Sequence, residues 1–304
     1  MIAAALRTVA PAKLNLTLEV LGRRDDGFHD LISVVQTIDL CDTVTIAPAP
    51  QRSLRFEISA ALQRSLPLPV EGELITRTWD LLIEHYGPAA IDDRAAVHVV
   101  KRIPIAAGLG GGSSDAAAFL RLARAFWKLP LSDAAAIDLL AQVGSDAPLF
   151  HAAGTVLMEG RGERLTPLPD QPTAAWRGVL WTPELPSPES KTATMFRALR
   201  PSHFGGGDRS CALAARLQQG LPPRSEDLVN TFERVADEVF IGLRAARRRF
   251  AAETRSLPHL AGAGPSLFLL NPPDHGDVSF TTVVRPLPRA ACAVEPVRLV
   301  STNA

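Results

Sequence analysis

The chain has 304 residues with 32 basic and 32 acidic side chains and a formal net charge of zero. That length holds two domains with good cores, and the even charge gives neither a polyanion-binding surface nor an acidic tail, which argues against nucleic acid as a partner. Cys41, Cys211 and Cys292 lie far apart without Cys-x-x-Cys spacing. This excludes a disulfide framework or zinc knuckle and suits a reducing cytoplasm.

Six residues precede Arg7, too few for a signal segment, and no apolar run approaches the length of a membrane span, so no membrane contact is expected. Residues 13–20 alternate strictly, with Leu14, Leu16, Leu18 and Val20 on one face and Lys13, Asn15, Thr17 and Glu19 on the other, the period of a strand. Residues 31–46 continue in β-rich apolar runs, a helix is expected near 73–86, and a strand over 95–101 leads into a glycine-rich turn. After the helix that follows this turn, another near 132–142 opens at Ser132-Asp133, and residues 149–158 read as a strand broken by Gly160-Arg161-Gly162. Beyond residue 170 come a strand at Val179-Leu180-Trp181, a helix near 189–199, a polar Gly/Pro-rich stretch at 201–224 and helices over about 226–250. A second glycine turn, Ala261-Gly262-Ala263-Gly264, runs into a strand at 266–270. Strands and helices mixed without a βαβ rhythm predict an α+β fold in two domains joined near 160–175.

The first glycine turn is the strongest signal. Residues Pro104, Ile105, Ala106, Ala107, Gly108, Leu109, Gly110, Gly111, Gly112, Ser113 and Ser114 place four glycines within five positions, directly ahead of an apolar helical pattern that runs to about Trp127. Glycine lets bare amides approach a ligand, Ser113, Ser114 and Asp115 supply N-cap chemistry, and the helix dipole adds partial positive charge. Such a turn is a phosphate cradle. A Walker loop would end in Gly-Lys-Ser/Thr, yet the nearest lysines are Lys101 and Lys128. A dinucleotide fingerprint would have Gly or Ala in place of Ser113. Lysine occurs only at Lys13, Lys101, Lys128 and Lys191, so each is a candidate for a specific role.

Five segments occur in a fixed order: Pro11-Ala12-Lys13-Leu14-Asn15-Leu16, Asp26-Gly27-Phe28-His29, the 104–114 turn, Gly144-Ser145-Asp146-Ala147-Pro148, and Ala261-Gly262-Ala263-Gly264-Pro265. Together they resemble the GHMP small-molecule kinases, over residues 7 to about 270. The Lys-x-Asn strand and the Asp-Gly-aromatic-His turn narrow the resemblance to the branch that phosphorylates the 2-hydroxyl of a cytidine-diphosphate-linked methylerythritol in non-mevalonate isoprenoid synthesis. The resemblance implies a ribosomal-protein-S5-like domain over 1–165 that binds ATP and carries catalysis, and a ferredoxin-like, substrate-side domain over 166–304. It also implies Mg²⁺ carried by the ATP, a cytoplasmic enzyme, and a monomer or homodimer. Other GHMP kinases, such as homoserine or mevalonate kinase, a non-catalytic nucleotide-binding regulator and a Rossmann oxidoreductase are the alternative readings.

Under this resemblance, residues 104–114 hold the ATP phosphates, Asp146 is the base for the acceptor hydroxyl, and Lys13 is its cationic partner. Asn15 contacts substrate or holds the lysine, Phe28 and His29 read the cytosine, and Gly262 and Gly264 allow close approach of substrate. No residue is assigned to a metal; Ser114 is one oxygen that Mg²⁺ on the nucleotide could meet. From the residues alone, Lys13 also reads as a solvated strand-face lysine, Asn15 as an edge-strand polar residue, Asp146 as a turn aspartate and Phe28 as the buried ring of a β-turn. The chain departs from the family where Ala261 and Ala263 replace usual serines and Phe28 a usual tyrosine. Residues 201–224 read as an insertion without a role, and the last thirty residues carry no motif.

Overall fold

The computed structural model describes residues 5–59, 62, 73–272 and 280–297. Its larger sheet begins with β1 (Ala5–Asn15), β2 (Thr17–Arg23) and the long β3 (His29–Pro48), antiparallel throughout, with Asn15 opposite Val35 and Glu19 opposite Ile32. The expected strand at 13–20 is thus split at Leu16 between two strands. Then follow β4 (Ser53–Ile58), α1 (Glu73–Tyr86) and β5 (Ala95–Lys101), and β5 closes against the far end of β3, with Thr43 opposite Val100.

Three helices follow: α2 (Gly111–Phe126), α3 (Asp133–Val143) and α4 (Ala147–Ala152). With α1 they cover one face of the sheet, where Trp79, Phe119, Leu140 and Phe150 pack with Val44, Ile46, Val97 and Val99. The α3 start matches the sequence reading, Ser132 accepting a hydrogen bond from the Ala135 amide. The expected strand over 149–158 is corrected. Pro148 sits in the first turn of α4, where its missing N–H is harmless, and only after Gly154, at φ +69°, does β6 (Thr155–Gly160) begin. β6 pairs with β3 and forms a hairpin with β7 (Arg164–Pro167).

The second half comprises β8 (Gly178–Trp181), α5 (Lys191–Ala198), α6 (Asp208–Gln218), β9 (Val229–Asn230), α7 (Ala236–Val239), α8 (Leu243–Thr254), β10 (His259–Leu260), β11 (Leu267–Leu270), β12 (Thr282–Val284) and β13 (Glu295–Val297). The expected helices over 226–250 are therefore interrupted, by β9, by short 3-10 turns and by Gly242 at φ +96°. A four-stranded antiparallel sheet in the order β10-β11-β8-β12 packs its Leu180, Phe268 and Leu270 toward Ala12, Leu14, Leu16, Val34 and Ile38 of the larger sheet. The polar face of residues 13–19 does not meet water either: Lys13, Asn15, Thr17 and Glu19 are all buried, Lys13 beside Gly110 and Gly262 of the two glycine turns and Glu19 against the start of α6.

The stretch at 201–224 is no unpacked insertion. It contains α6, whose Leu213 and Leu217 enter the core, and the buried Glu19 carboxylate accepts hydrogen bonds from the Gly207 amide and from the Ser210 amide and hydroxyl. β9 and β13, both from beyond residue 166, are strands of the larger sheet, paired with β2 and β1. The expected boundary after residue 165 therefore divides the chain by order but not by sheet.

Candidate active site

A cavity of about 1050 Å³ is lined by the glycine turn, the β1 end, the residue 27–29 turn and α5. The N-cap of α2 is Gly110, left-handed at φ +76° and without any side-chain cap. This corrects the expected capping by Ser113, Ser114 and Asp115, all of which lie inside the helix. The first amides of α2 have no carbonyl within the helix to accept from them, which leaves them for a ligand. The Ser114 hydroxyl is fully buried, outside the cavity lining, and has no hydrogen-bond partner among the described residues. A Cβ at Gly110 would stand 2.5 Å from the Phe150 ring. One at Gly108 would run into the Ala261 carbonyl, and one at Gly262 would lie 2.7 Å from the Gly108 carbonyl. Only glycine lets the two turns, distant in sequence, touch backbone to backbone.

Of the residues singled out in the turn, 104–108 and 110–113 face the cavity. Leu109 instead enters the core while its carbonyl accepts from the Lys13 amide at 3.0 Å. Gly262 lines the cavity, but Gly264 turns its α-carbon toward Leu260 and Phe240. Ala263 lines it too, and Ala261 is fully buried.

Lys13 and Asp146 converge at the cavity wall. The ammonium donates to Asn15 Oδ1 at 2.6 Å and stands 3.9 Å from Asp146 Oδ2. Asn15 in turn donates to Ser33 Oγ at 2.8 Å, so the lysine head is held by a buried relay. Burial lowers the Lys13 pKa below the ordinary lysine value, and Asp146 pulls it partly back. Asp146 occupies the N-cap of α4 but makes no capping bond, which leaves its half-exposed carboxylate for the cavity. Arg121 of α2 donates to the Phe150 carbonyl near the other end of α4 at 2.7 Å and thereby fixes the helix that carries Asp146.

Beneath the turn lies an ion cluster that the sequence did not disclose. Lys101 reaches Asp42 at 2.5 Å and Asp115 at 2.6 Å, with all three side chains buried. Asp42 also accepts from the Ile103 amide at 2.9 Å, so the cluster anchors the start of the turn. Burial pushes the Asp115 carboxyl up to about 7 against the pull of Lys101.

The opposite end of the cavity is aromatic. Gly27, at φ +85°, closes a turn in which the Phe28 amide donates to Asp26 Oδ1 at 3.1 Å. Phe28 is not the buried ring of a turn: it is 52% exposed, with the Arg161 guanidinium 4.6 Å above it. His29 stacks on Phe196 of α5 at 4.8 Å and 20°, and burial followed by the Arg23 charge lowers its pKa. Sequence reasoning missed Arg161, Phe196 and Lys191, which also line the cavity. Only Lys191 carried a signal, the scarcity of lysine. Its ammonium donates at 2.6 Å to the carbonyls of both Ala106 and Gly264. Among the described residues no group of three or more His, Cys, Asp or Glu could hold a metal, and no helix is long and apolar enough to cross a membrane.

The family model for the GHMP kinases N terminal domain matches residues 73–154, which include the glycine turn and Asp146. The 4-diphosphocytidyl-2-C-methyl-D-erythritol kinase of Dehalococcoides mccartyi is 39% identical over 265 residues, 87% of this chain and 89% of the relative. That of Thermotoga maritima is 35% identical over 90% of this chain and 94% of its own length. A crystal structure of 4-(cytidine 5'-diphospho)-2C-methyl-D-erythritol kinase superposes with a TM-score of 0.65 at 31% identity, covering 88% of this chain and 91% of that one. A homoserine kinase from Cytophaga hutchinsonii, at 14% identity and a TM-score of 0.63 over 96% and 97% of the two chains, shares the fold alone.

Proposed function

Since the chain belongs to the 4-diphosphocytidyl-2-C-methyl-D-erythritol kinases, a branch of the GHMP kinases, we propose that its cleft moves the terminal phosphoryl group of ATP to the 2-hydroxyl of 4-diphosphocytidyl-2-C-methyl-D-erythritol, giving the 2-phosphate and ADP for non-mevalonate isoprenoid synthesis. The observation that carries this is the convergence of Lys13 and Asp146 beside the glycine turn.

The triphosphate lies along the amides at the start of α2, where unpaired N–H groups and the helix dipole favour anions. Phosphoryl transfer through a loose transition state asks the protein mainly to position the groups and balance charge. Lys13, fixed by Asn15 in a dry site, supplies positive charge without reorganising. Asp146 orients the acceptor hydroxyl and takes its proton as the new bond forms. Mg²⁺ would arrive with the nucleotide, and the Ser114 hydroxyl, fully buried and outside the cavity lining, does not face it. That ion would neutralise phosphate charge when bound. Phe28 offers an apolar face to the cytosine, and His29, with one face on Phe196, keeps its ring edge for polar contact. Backbone approach at Gly262 serves the same substrate. A cytoplasmic location, supported by the free Cys41, Cys211 and Cys292, belongs to the same proposal. All these site residues come from one chain, so a monomer or a homodimer serves equally.

A coupled ADP-release assay with a panel of alcohols tests the reading. The cytidyl compound should be turned over far faster than free methylerythritol, homoserine or mevalonate. Equal rates with the free alcohols would remove the acceptor and leave only a GHMP-type kinase.

A further inference from the structure

Lys191, the first residue of α5, extends its side chain across the cleft from the second half of the chain. Its ammonium donates to Ala106 at the start of the phosphate turn and to Gly264 in the second glycine turn, both at 2.6 Å. An ammonium has three protons. Two are held by these carbonyls, and the third is left for the cavity that the side chain lines.

The charges around it point the same way. Lys13 comes from β1 and Asp146 from the head of α4, while the two turns present only neutral carbonyls. Burial and the Lys13 charge bring Lys191 down to about 8, with Asp146 opposing them. Two buried ammonium groups beside one carboxylate are unfavourable in an unliganded cleft, and an entering polyanion relieves them.

We propose that Lys191 is a further catalytic residue of the kinase, its remaining N–H bonding an oxygen of the terminal phosphate of ATP as that phosphate passes from the glycine turn to the acceptor. The inference rests on the ATP-kinase reading above. No bond is made or broken at Lys191. The terminal P–O bond to ADP breaks, the bond to the acceptor oxygen forms, the acceptor proton goes to Asp146, and the lysine stays protonated while balancing charge. Its carbonyl contacts keep the two glycine turns together around the group in transit.

The test compares a non-hydrolysable ATP analogue, AMP-PNP, with ADP in calorimetric titrations of wild type, Lys191→Met and Lys191→Arg, with thermal melting as the check on folding. Losing a hydrogen bond between charged groups should weaken AMP-PNP binding to Lys191→Met by about tenfold or more and leave ADP within about twofold. Lys191 is charged below about 8 and neutral above it, so wild-type AMP-PNP affinity should fall as pH rises through that value. Lys191→Arg, which stays charged, should lose that fall. An equal loss for both nucleotides would make Lys191 a clip between turns and overturn the proposal. So would no loss for either, or an unchanged pH dependence in Lys191→Arg, which decides the matter if Lys191→Met does not fold. Failure of the wild type to phosphorylate the cytidyl compound would remove the acceptor, and the AMP-PNP-against-ADP contrast would still judge Lys191.

Discussion

At the phosphate end of the cleft Lys13 keeps only 7% of its side chain exposed and is fixed by Asn15, whereas at the other end Phe28 is 52% exposed with an arginine lying over its ring. The phosphate end is assembled from β1, α2 and α4, whose backbones are locked into the core of the larger sheet. The aromatic end borrows Phe28 and His29 from the residue 27–29 turn, Arg161 from the β6–β7 hairpin and Phe196 from α5. Charge stabilisation works through groups fixed beforehand in a low dielectric, and the proposed function puts the chemistry at the end that is fixed in this way. A flat base needs a face it can reach from solvent, and under the proposed function the exposed Phe28 ring offers one.

If that contrast holds, the largest effect on stability should come from below the phosphate turn. Lys101→Met leaves Asp42 and Asp115 buried without their cation and should destabilise the fold by about 3–5 kcal/mol in denaturant titration. A loss below about 1 kcal/mol would mean that the turn does not depend on this cluster. At the chemistry itself, Asp146→Asn should preserve ATP binding and lower turnover by at least about a hundredfold, as for a positioned acid–base group. Lys13→Met should do likewise, and the double variant should lose far less than the product, because both act on one transfer. Multiplicative losses would show that they work separately.

The aromatic end should respond in binding and not in rate. Phe28→Ala should raise KM for the cytidyl substrate by an amount equivalent to about 1–3 kcal/mol of stacking, with KM for ATP unchanged. A change in both would merge the two regions. His29→Ala should give the smallest effect, relaxing discrimination between cytidine and uridine analogues by about 0.5–1.5 kcal/mol. Retained discrimination would move base reading to another side chain.

The same contrast governs what the sequence disclosed. α1, β5 and α3 declared themselves through local periodicity and caps, and the glycine turn through its run of four glycines ahead of α2. The burial of Lys13, Asn15, Thr17 and Glu19 could not be read locally, because it is imposed by segments distant in sequence, the two glycine turns over Lys13 and α6 over Glu19. The capping role expected of Ser113 and Asp115 failed because Gly110 takes the left-handed N-cap position, which carries Asp115 into the helix to meet Lys101. Residues 149–158 misled because an apolar run suits a strand and a buried helix alike, and Pro148 with Gly154 decided between them. Arg161 and Phe196 were illegible, and the place of Lys191, marked only by the scarcity of lysine, went unread for a simpler reason. Each reaches the cleft from a distant element, and nothing in its neighbours along the chain records that.

The pairing of β13 with β1 also has a consequence in time. The Arg7 side chain meets Glu295 across this pair, 288 residues away. At a synthesis rate of roughly 5–20 residues per second, the strand that carries Lys13 waits on the order of 15–60 s for its edge partner to leave the ribosome. Through that interval the edge of β1 offers unpaired amides and carbonyls to any neighbouring strand. Nascent chains stalled before residue 295 should therefore be more protease-sensitive around residues 5–11 than chains stalled after the tail has emerged, which pulse proteolysis of arrested ribosomes would reveal.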